Sequence, residues 1–452
     1  MTEMEFSYSD FQDEEINYCS IYDCKLTLDR SKYDEQSEES LAQDQRVKDT
    51  LKQLSNRLTS DYSMKVSRVQ VLAQDYARKV FPTYKFIQPD ALIDDWLSTV
   101  DFHKVRKTRD HSLHQTLTAY IVSKMLGQGD STHGLKLPNG KTLLAQCAEQ
   151  LLYEPGMEFL RSYIRKEDPN FAPDQNGYDI AWATDVFYES AFISALFHDM
   201  GYPWQYVNSL SKSITGSNYE EINGALLNVG EAARKMNTSL LIYPFYGYDE
   251  GVVQNHTPEQ EQQTLEMIKK GLLNKHGMPG AMGFMWLNDY IRYKPQKDLL
   301  KEATFKLIID WAAVGIMMHD MPGIYRGKMP GGNPQFSVLR LDCRKDPLSC
   351  IISLADILEE FERPKSYFER YVDKEKKEEH VALTYGFSCV GTQIGYDGGK
   401  MNVTYLYATD KEAGEMLDGR KEEVFEYLNP QNGYLDLSAW GITDGEGFTA
   451  KI

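Results

Sequence analysis

The sequence lacks the features that mark membrane and secreted proteins. No apolar run approaches the roughly 18 residues that a membrane helix needs, so no membrane span is expected. The opening segment MTEMEFSYSDFQDEE is acidic where a signal peptide is basic and then apolar. Six cysteines are scattered without CxxC spacing, which is typical of free thiols in a reducing compartment. Together these absences predict a cytoplasmic protein.

Positive charge is outnumbered by negative charge, with 49 Lys and Arg residues against 67 Asp and Glu residues. The formal net charge of −18 argues against a general nucleic-acid or anionic-membrane surface. It does not exclude a small anionic substrate, because bound divalent ions can dominate the field within a site. We therefore expect a small-molecule partner, no general nucleic-acid binding and no membrane association, and the sequence leaves homo-oligomerisation open.

The length of 452 residues and the 42% hydrophobic content predict two or three units with a sizeable core. Residues 1–90 form an acidic accessory segment, with a short strand at 18–28 and helices over 40–60 and 64–80. Residues 91–376 show helical spacing of apolar residues almost throughout, and residues 141–165 are among those predicted to be helical. From about 377, segments rich in Tyr, Val, Thr and Phe predict a small ββαβ unit over 377–452, whose last strand is expected at 434–440. The expected fold is therefore mainly α, with an accessory helical segment and a small C-terminal α+β unit.

One stretch of the helical region carries an exceptional pair of polar residues. The apolar residues 186–197 predict a buried helix, which Gly201 and Pro203 end. Directly after it come His198 and Asp199. Burying an imidazole and a carboxylate costs free energy unless a partner meets them, and a divalent metal is such a partner. The pair alone more often marks a satisfied histidine beside a helix-end aspartate.

Other ligand-type residues lie on other predicted helices. His111 opens one helix, His276 sits at a break between two helices, and His319 ends an apolar helix. Asp356 lies inside an apolar helix, where an aspartate is rarely buried without a partner. His114 is the alternative to His111, since three residues apart leaves both within reach of one helix face. For His276 and His319 the alternative role is a helix-terminus histidine that contacts the last carbonyls.

Taken in order, these residues resemble the signature H…HD…D of the HD superfamily of metal-dependent hydrolases. The resemblance is carried by His111, His198-Asp199 and Asp356 and covers roughly residues 92–365. It implies an HD-type helical bundle.

His276 and His319 resemble the extra ligands of the two-metal subgroup, whose order is H…HD…H…H…D. Two positions depart from the family pattern. Asp320 stands where many HD-GYP phosphodiesterases have a second histidine, and Tyr202 stands where a lysine is usual.

The ligand set suits one or two divalent ions, with Mn, Fe, Co, Zn or Mg as candidates, because it contains imidazoles and carboxylates and no thiolate. Asp199 is expected to bridge two ions. His111, His198 and Asp356 would complete one site, and His276 and His319 the other. The implied activity is hydrolysis of a nucleotide or related phosphate ester by a metal-activated hydroxide, with Asp199 and His276 as the catalytic residues.

A long segment between His319 and Asp356 is rich in Gly and Pro and basic within an acidic protein, which is typical of a functional loop. Its cations are predicted to meet substrate phosphate, although a solvated loop explains them equally well. The predicted substrate-binding residues are Arg326, Lys328, Arg340, Lys212 and Tyr202.

Two other functions remain open. The same ordered ligand set resembles the HD-type di-iron oxygenases of the inositol oxygenase kind, in which a single histidine at position 319 is equally acceptable. A ligand sensor that keeps the metal site without turnover is the other alternative.

Overall fold

The computed structural model of the protein describes residues 2–7, 111–202, 275–291, 299–321, 340–359, 365–373, 378–386, 389–397, 400–407, 424, 427–428, 433–443 and 448–451. The accessory strand and helices predicted within residues 18–80 lie outside these ranges. Among the described residues, no helix is long and apolar enough to cross a membrane. Cys147, Cys343, Cys350 and Cys389 are buried free thiols, as predicted for these positions.

The described part of the chain is mostly helical. Its helices are α1 His111–Met125, α2 Leu143–Tyr153, α3 Glu158–Glu167, α4 Ile180–Phe197, α5 Gly277–Ile291, α6 Leu299–Met318 and α7 Pro347–Leu358.

Helix α4 lies at the centre of the helical part. The side chain of Asp179 accepts a hydrogen bond from the backbone N–H of Trp182 and so caps the start of the helix. From Val186 to Phe197 every side chain is buried, which is the pattern of a helix surrounded by others. Helices α1, α2, α6 and α7 all pack against it. The predicted buried helix is thus confirmed, and it delivers His198 and Asp199 into the middle of the bundle.

The helix predicted over residues 141–165 is in fact two. Helices α2 and α3 are separated by a short 3-10 turn over Pro155–Met157. Proline lacks the backbone N–H that an α-helix needs, and its ring clashes with the preceding turn. The apolar spacing continues across the break, which is why periodicity alone joined the two helices.

In the described part of the chain, the strands form one four-stranded sheet and two smaller pairs. The strands are β1 Thr2–Ser7, β2 Leu341–Asp342, β3 Lys365–Asp373, β4 Glu378–Gly386, β5 Cys389–Asp397, β6 Lys400–Tyr407, β7 Leu435–Asp436 and β8 Phe448–Lys451. In the larger sheet the order is β1-β5-β6-β8, with β6 and β8 parallel and the other neighbours antiparallel. Strands β3 and β4 form a separate antiparallel hairpin, and β2 pairs with β7 in parallel.

The sheet differs from the predicted ββαβ unit in three respects. Strand β1 comes from the N-terminal segment and pairs with β5 along its whole length. Strand β3 lies before residue 377, within the region read as helical. The strand predicted over 434–440 is only Leu435–Asp436, followed by a 3-10 turn at Ser438–Trp440. The pairing of β1 joins the two ends of the chain, which local sequence patterns do not reveal.

Candidate metal centre

Five helices bring their ends to one place. His198 and Asp199 directly follow α4, and His319 directly follows α6. His276 directly precedes α5, and Asp356 lies in the last turn of α7. Helix α1 contributes His114 from its first turn. The imidazole nitrogens and carboxylate oxygens of these residues lie within 4.8 Å of one another in three overlapping groups.

The histidine that α1 contributes is His114. Its Nε2 lies 2.8 Å from Asp356 Oδ1 and 3.1 Å from His198 Nε2. His111, which the sequence context favoured, begins the same helix, but its side chain lies outside the described residues. The geometry therefore favours His114 over His111 for this ligand position.

All four imidazoles of the cluster are held through Nδ1. His198 Nδ1 donates to the carbonyl of Ala195 at 2.7 Å, and His319 Nδ1 donates to the carbonyl of Ile316 at 2.7 Å. Because a carbonyl can only accept, the proton of each of these two rings resides on Nδ1 and Nε2 offers a lone pair. Anchoring one ring nitrogen in this way is the usual means of presenting the other to a metal.

The other two imidazoles are held by carboxylates. Glu359 Oε2 accepts from His114 Nδ1, and Asp320 Oδ2 accepts from His276 Nδ1 at 2.8 Å. Asp320 also accepts from the backbone N–H of His276 at 3.0 Å and from Lys275 Nζ at 3.1 Å. Glu359 was not predicted, and Asp320 was noted only as a departure from the family pattern. In the sequence, Glu359 could have been noticed as an acidic residue three positions after Asp356, directly after an apolar helix.

The inward-facing nitrogens meet in two pairs. His114 Nε2 lies 3.1 Å from His198 Nε2, and His276 Nε2 lies 3.0 Å from His319 Nε2. The Nε2 atoms of His198 and His319 carry lone pairs. A cation would bind such a lone pair and would replace the proton on the Nε2 of the partner ring, His114 or His276. The donor set therefore fits a metal ion at each pair.

Asp199 lies between the two pairs. Its Oδ1 is 3.0 Å from His276 Nε2 and 3.7 Å from His319 Nε2. Its Oδ2 is 3.7 Å from His114 Nε2. We call His114, His198 and Asp356 the first lobe, and His276 and His319 the second lobe. One carboxylate thus offers an oxygen to each lobe.

The electrostatics of the cluster favour positive charge at its centre. Burial alone would raise the pKa of Asp356, but the adjacent imidazoles of His114 and His198 hold it well below its usual range. Burial would lower the pKa of His276, yet the negative charges of Asp320 and Asp199 raise it to about 10. Asp320 in turn has a pKa well below its usual range, because His276 and Lys275 outweigh the cost of burial.

Two residues in or beside the cluster are partly exposed to solvent. The side chain of Asp356 is 18% exposed, whereas His198 is fully buried. Lys275 is 23% exposed beside Asp320, which places a cation at the rim of the second lobe. The ring of Tyr202 stacks on His276 with the centroids 3.8 Å apart and the planes 15° from parallel. Lys275 and Tyr202 thus lie directly beside the second pair of histidines.

Of the other predicted substrate-binding residues, the structure describes only Arg340, and its guanidinium group binds residues 433 and 435. Arg340 donates from Nε to the carbonyl of Gly433 at 2.9 Å and from Nη2 to the carbonyl of Leu435 at 3.0 Å. These bonds join β2 to β7 and give Arg340 a role in holding the fold. Arg326, Lys328 and Lys212 lie outside the described residues.

Three glycines let the ligand-bearing helix ends approach each other. A Cβ on Gly201 would lie 1.8 Å from the carbonyl oxygen of His276. A Cβ on Gly277 would lie 2.7 Å from the carbonyl oxygen of Met317, and one on Gly315 would lie 2.3 Å from Ser194 Oγ. These contacts are shorter than atoms tolerate, so larger residues would push the helices and their ligands apart.

We expect Gly201→Ala to lower the free energy of unfolding by about 3 kcal/mol, because its methyl group overlaps the His276 carbonyl. Gly283→Ala is the matched control: its methyl group would meet only Met200 Cε at 3.7 Å. Within helix α5 that change should stabilise the protein by up to about 1 kcal/mol, since alanine favours helix. Urea unfolding of the two variants measures the difference. Equal stabilities would show that the close approach at Gly201 is not needed.

Comparisons of the chain with protein-family models, with curated proteins and with solved structures found no match. Metal binding is therefore inferred from the geometry of the cluster itself. What stands is a group of buried His and Asp side chains that could hold a metal ion, in a chain whose described part is mostly helical.

Proposed function

We propose that the chain is a metal-dependent phosphohydrolase or phosphodiesterase of the HD type, acting on a nucleotide or related phosphate ester. The observation that supports this most is the convergence of four imidazole Nε2 atoms and two carboxylates, with Asp199 between two lobes. Hydrolases that displace an alcohol from phosphorus commonly use such paired sites. The order of the ligands along the chain adds the resemblance to the HD superfamily.

Each described residue has a role in this proposal. His114, His198 and Asp356 would hold one ion, His276 and His319 would hold the other, and Asp199 offers one carboxylate oxygen to each lobe. When bound, the ions supply Lewis acidity and a hydroxide nucleophile at neutral pH.

The remaining roles belong to the protein at the rim of the second lobe. Lys275 offers its ammonium group to an anionic ester, because its side chain is partly exposed. Tyr202 keeps the plane of the His276 ring fixed by stacking on it. Asp320 holds the proton of His276 on Nδ1, away from the centre.

The experiment is phosphate release from a panel of nucleotides and phosphodiesters by the manganese-loaded protein. We expect turnover that chelation removes and added manganese restores, and that is absent from a His198→Ala variant. The Lys275→Ala variant should keep its metal and raise KM, because its cation contacts substrate rather than the ions. Full metal occupancy with no turnover across the panel would contradict hydrolysis and favour a ligand sensor.

One observation favours the di-iron oxygenase as a second candidate. Asp320 binds the Nδ1 of His276 and so acts outside the ligand set, which leaves His319 as the last ligand contributed by its segment. Such a nitrogen-rich set also suits iron. Oxygen uptake by the iron-loaded protein, compared with phosphate release by the manganese-loaded one, separates the two functions. Oxygen consumption coupled to oxidation of a polyol or phosphonate would replace the hydrolase proposal.

A further inference from the structure

Helices α6 and α7, two of the three that carry ligand residues at their carboxyl ends, share an unusual environment. The last carbonyl groups of an α-helix have no partner within the helix and need one from elsewhere. At the end of α6 they are the carbonyl groups of Met318, the last residue of the helix, and of His319, which belongs to the second lobe. In α7 they include Ile357 and Leu358, between Asp356 of the first lobe and Glu359, which holds His114.

Hydroxyl groups from the C-terminal part of the chain meet these carbonyls. Tyr434 Oη donates to the carbonyl of Met318 at 2.6 Å, and Tyr427 Oη donates to the carbonyl of His319 at 3.3 Å. Residue 434 is 1% exposed, so this bond is made without competition from water.

The same pattern occurs at α7. Tyr405 Oη, on strand β6, donates to the carbonyl of Ile357 at 2.7 Å. Thr392 Oγ1, on strand β5, donates to the carbonyl of Leu358 at 3.0 Å. Both donors are fully buried. Two adjacent strands thus each donate a hydrogen bond to the carboxyl end of α7, between Asp356 and Glu359.

We propose that Thr392, Tyr405, Tyr427 and Tyr434 are positioning residues of the metal centre, and we call them the C-terminal brace. They act through the backbone. Tyr427 and Tyr434 fix the segment that contains His319 and Asp320, and so fix the second lobe. Thr392 and Tyr405 fix the segment that contains Asp356 and Glu359, and so fix the first lobe.

The brace gives the C-terminal unit a function. Each lobe receives one ligand and one orienting carboxylate from a braced helix end: His319 and Asp320 in the second lobe, Asp356 and Glu359 in the first. A ring held through Nδ1 can point its Nε2 correctly only if the backbone that carries it stays in place. The unit is therefore part of the metal site and not a separate appendage. This inference rests on the metal centre alone and holds for either proposed reaction.

The test uses full-length protein loaded with cobalt(II), whose visible absorption reports the geometry of its ligands. We expect Tyr405→Phe and Tyr434→Phe to bind cobalt about 10-fold more weakly, at the lower end of the effect of outer partners. We also expect their absorption bands to shift. The matched control is Tyr178→Phe. Tyr178 is fully buried and donates a hydrogen bond to Asp168 at 2.6 Å, and Asp168 is not part of the metal cluster. Its spectrum and cobalt affinity should equal those of the wild type.

Unchanged spectra and affinities in both brace variants would overturn the inference, because a purely structural tyrosine would lower stability alone. If either tyrosine variant fails to fold, Tyr427→Phe and Thr392→Val replace it for the second and first lobes respectively. Altered spectra support the brace whether or not a phosphate ester is hydrolysed, so failure of the proposed function is seen separately.

Discussion

Asp199→Asn is expected to weaken metal binding at both lobes and to reduce turnover by at least about 100-fold. The reason is the position of its carboxylate, whose Oδ1 faces His276 and whose Oδ2 faces His114. An amide keeps one neutral oxygen and places a hydrogen-bond donor where the other ligand stood. Metal content after dialysis, together with a titration of the chelated protein, measures the loss.

The control for this prediction is Asp168→Asn. Asp168 is as well buried as Asp199, at 3% against 2% exposed, and accepts hydrogen bonds from Tyr178 Oη and the N–H of Asn170. Its loss should lower stability and leave the metal content unchanged. If Asp199→Asn retained two ions, or if both variants lost metal alike, the carboxylate of Asp199 would not be a ligand shared by the two lobes.

The second large effect is the selective weakening of one of the two ions. We expect Asp320→Asn to weaken the ion of the second lobe, and Glu359→Gln to weaken the ion of the first lobe, each by about 10- to 100-fold. Neither carboxylate faces the centre: Asp320 holds His276 through Nδ1, and Glu359 holds His114 through Nδ1. Their amides keep the shape and remove the charge that fixes the tautomer and strengthens the ligand.

An anomalous map of each metal-loaded variant decides the outcome. The expected result is one strong and one weak ion, with the weak position exchanged between the two variants. Loss of the same ion from both variants would mean that the two lobes form a single site. If both variants kept both ions at full affinity, the two carboxylates would not be needed to orient His114 and His276.

The ligands themselves could be anticipated from the sequence because each broke a rule of burial. His198, Asp199 and His319 follow directly on apolar helices, and Asp356 lies within one, so each needed a polar partner in the core. All four lie in the cluster that the structure assembles. Their common destination could not be derived from any one helix, and only their order along the chain suggested it.

The choice between His111 and His114 could not be made in the same way. The two residues are three apart on one helix, so both satisfy the same periodicity. What favours His114 is its burial and its contact with Glu359, which directly follows α7. The roles of Asp320 and Glu359 were hidden for a related reason: an orienting carboxylate is recognised only when the direction of its partner's Nδ1 is known.

The limits at the level of the fold are of the same kind. The strand character of residues 389–407 was visible in their composition, yet nothing local indicates that Thr2–Ser7 would pair with it. Likewise, the tyrosines of the C-terminal unit read as strand or core residues, and their hydroxyl groups reveal their role only beside the ends of α6 and α7.

The brace also constrains when the site can form as the chain is made. All six ligand residues precede residue 357, but Tyr434 reaches its carbonyl partner only after it has left the ribosome. Strand β1 is likewise made long before β5, the strand that pairs with it. If the cluster binds ions as proposed, a bundle that forms before these strands are made would lack the brace, and we expect it to hold ions less firmly than the finished protein.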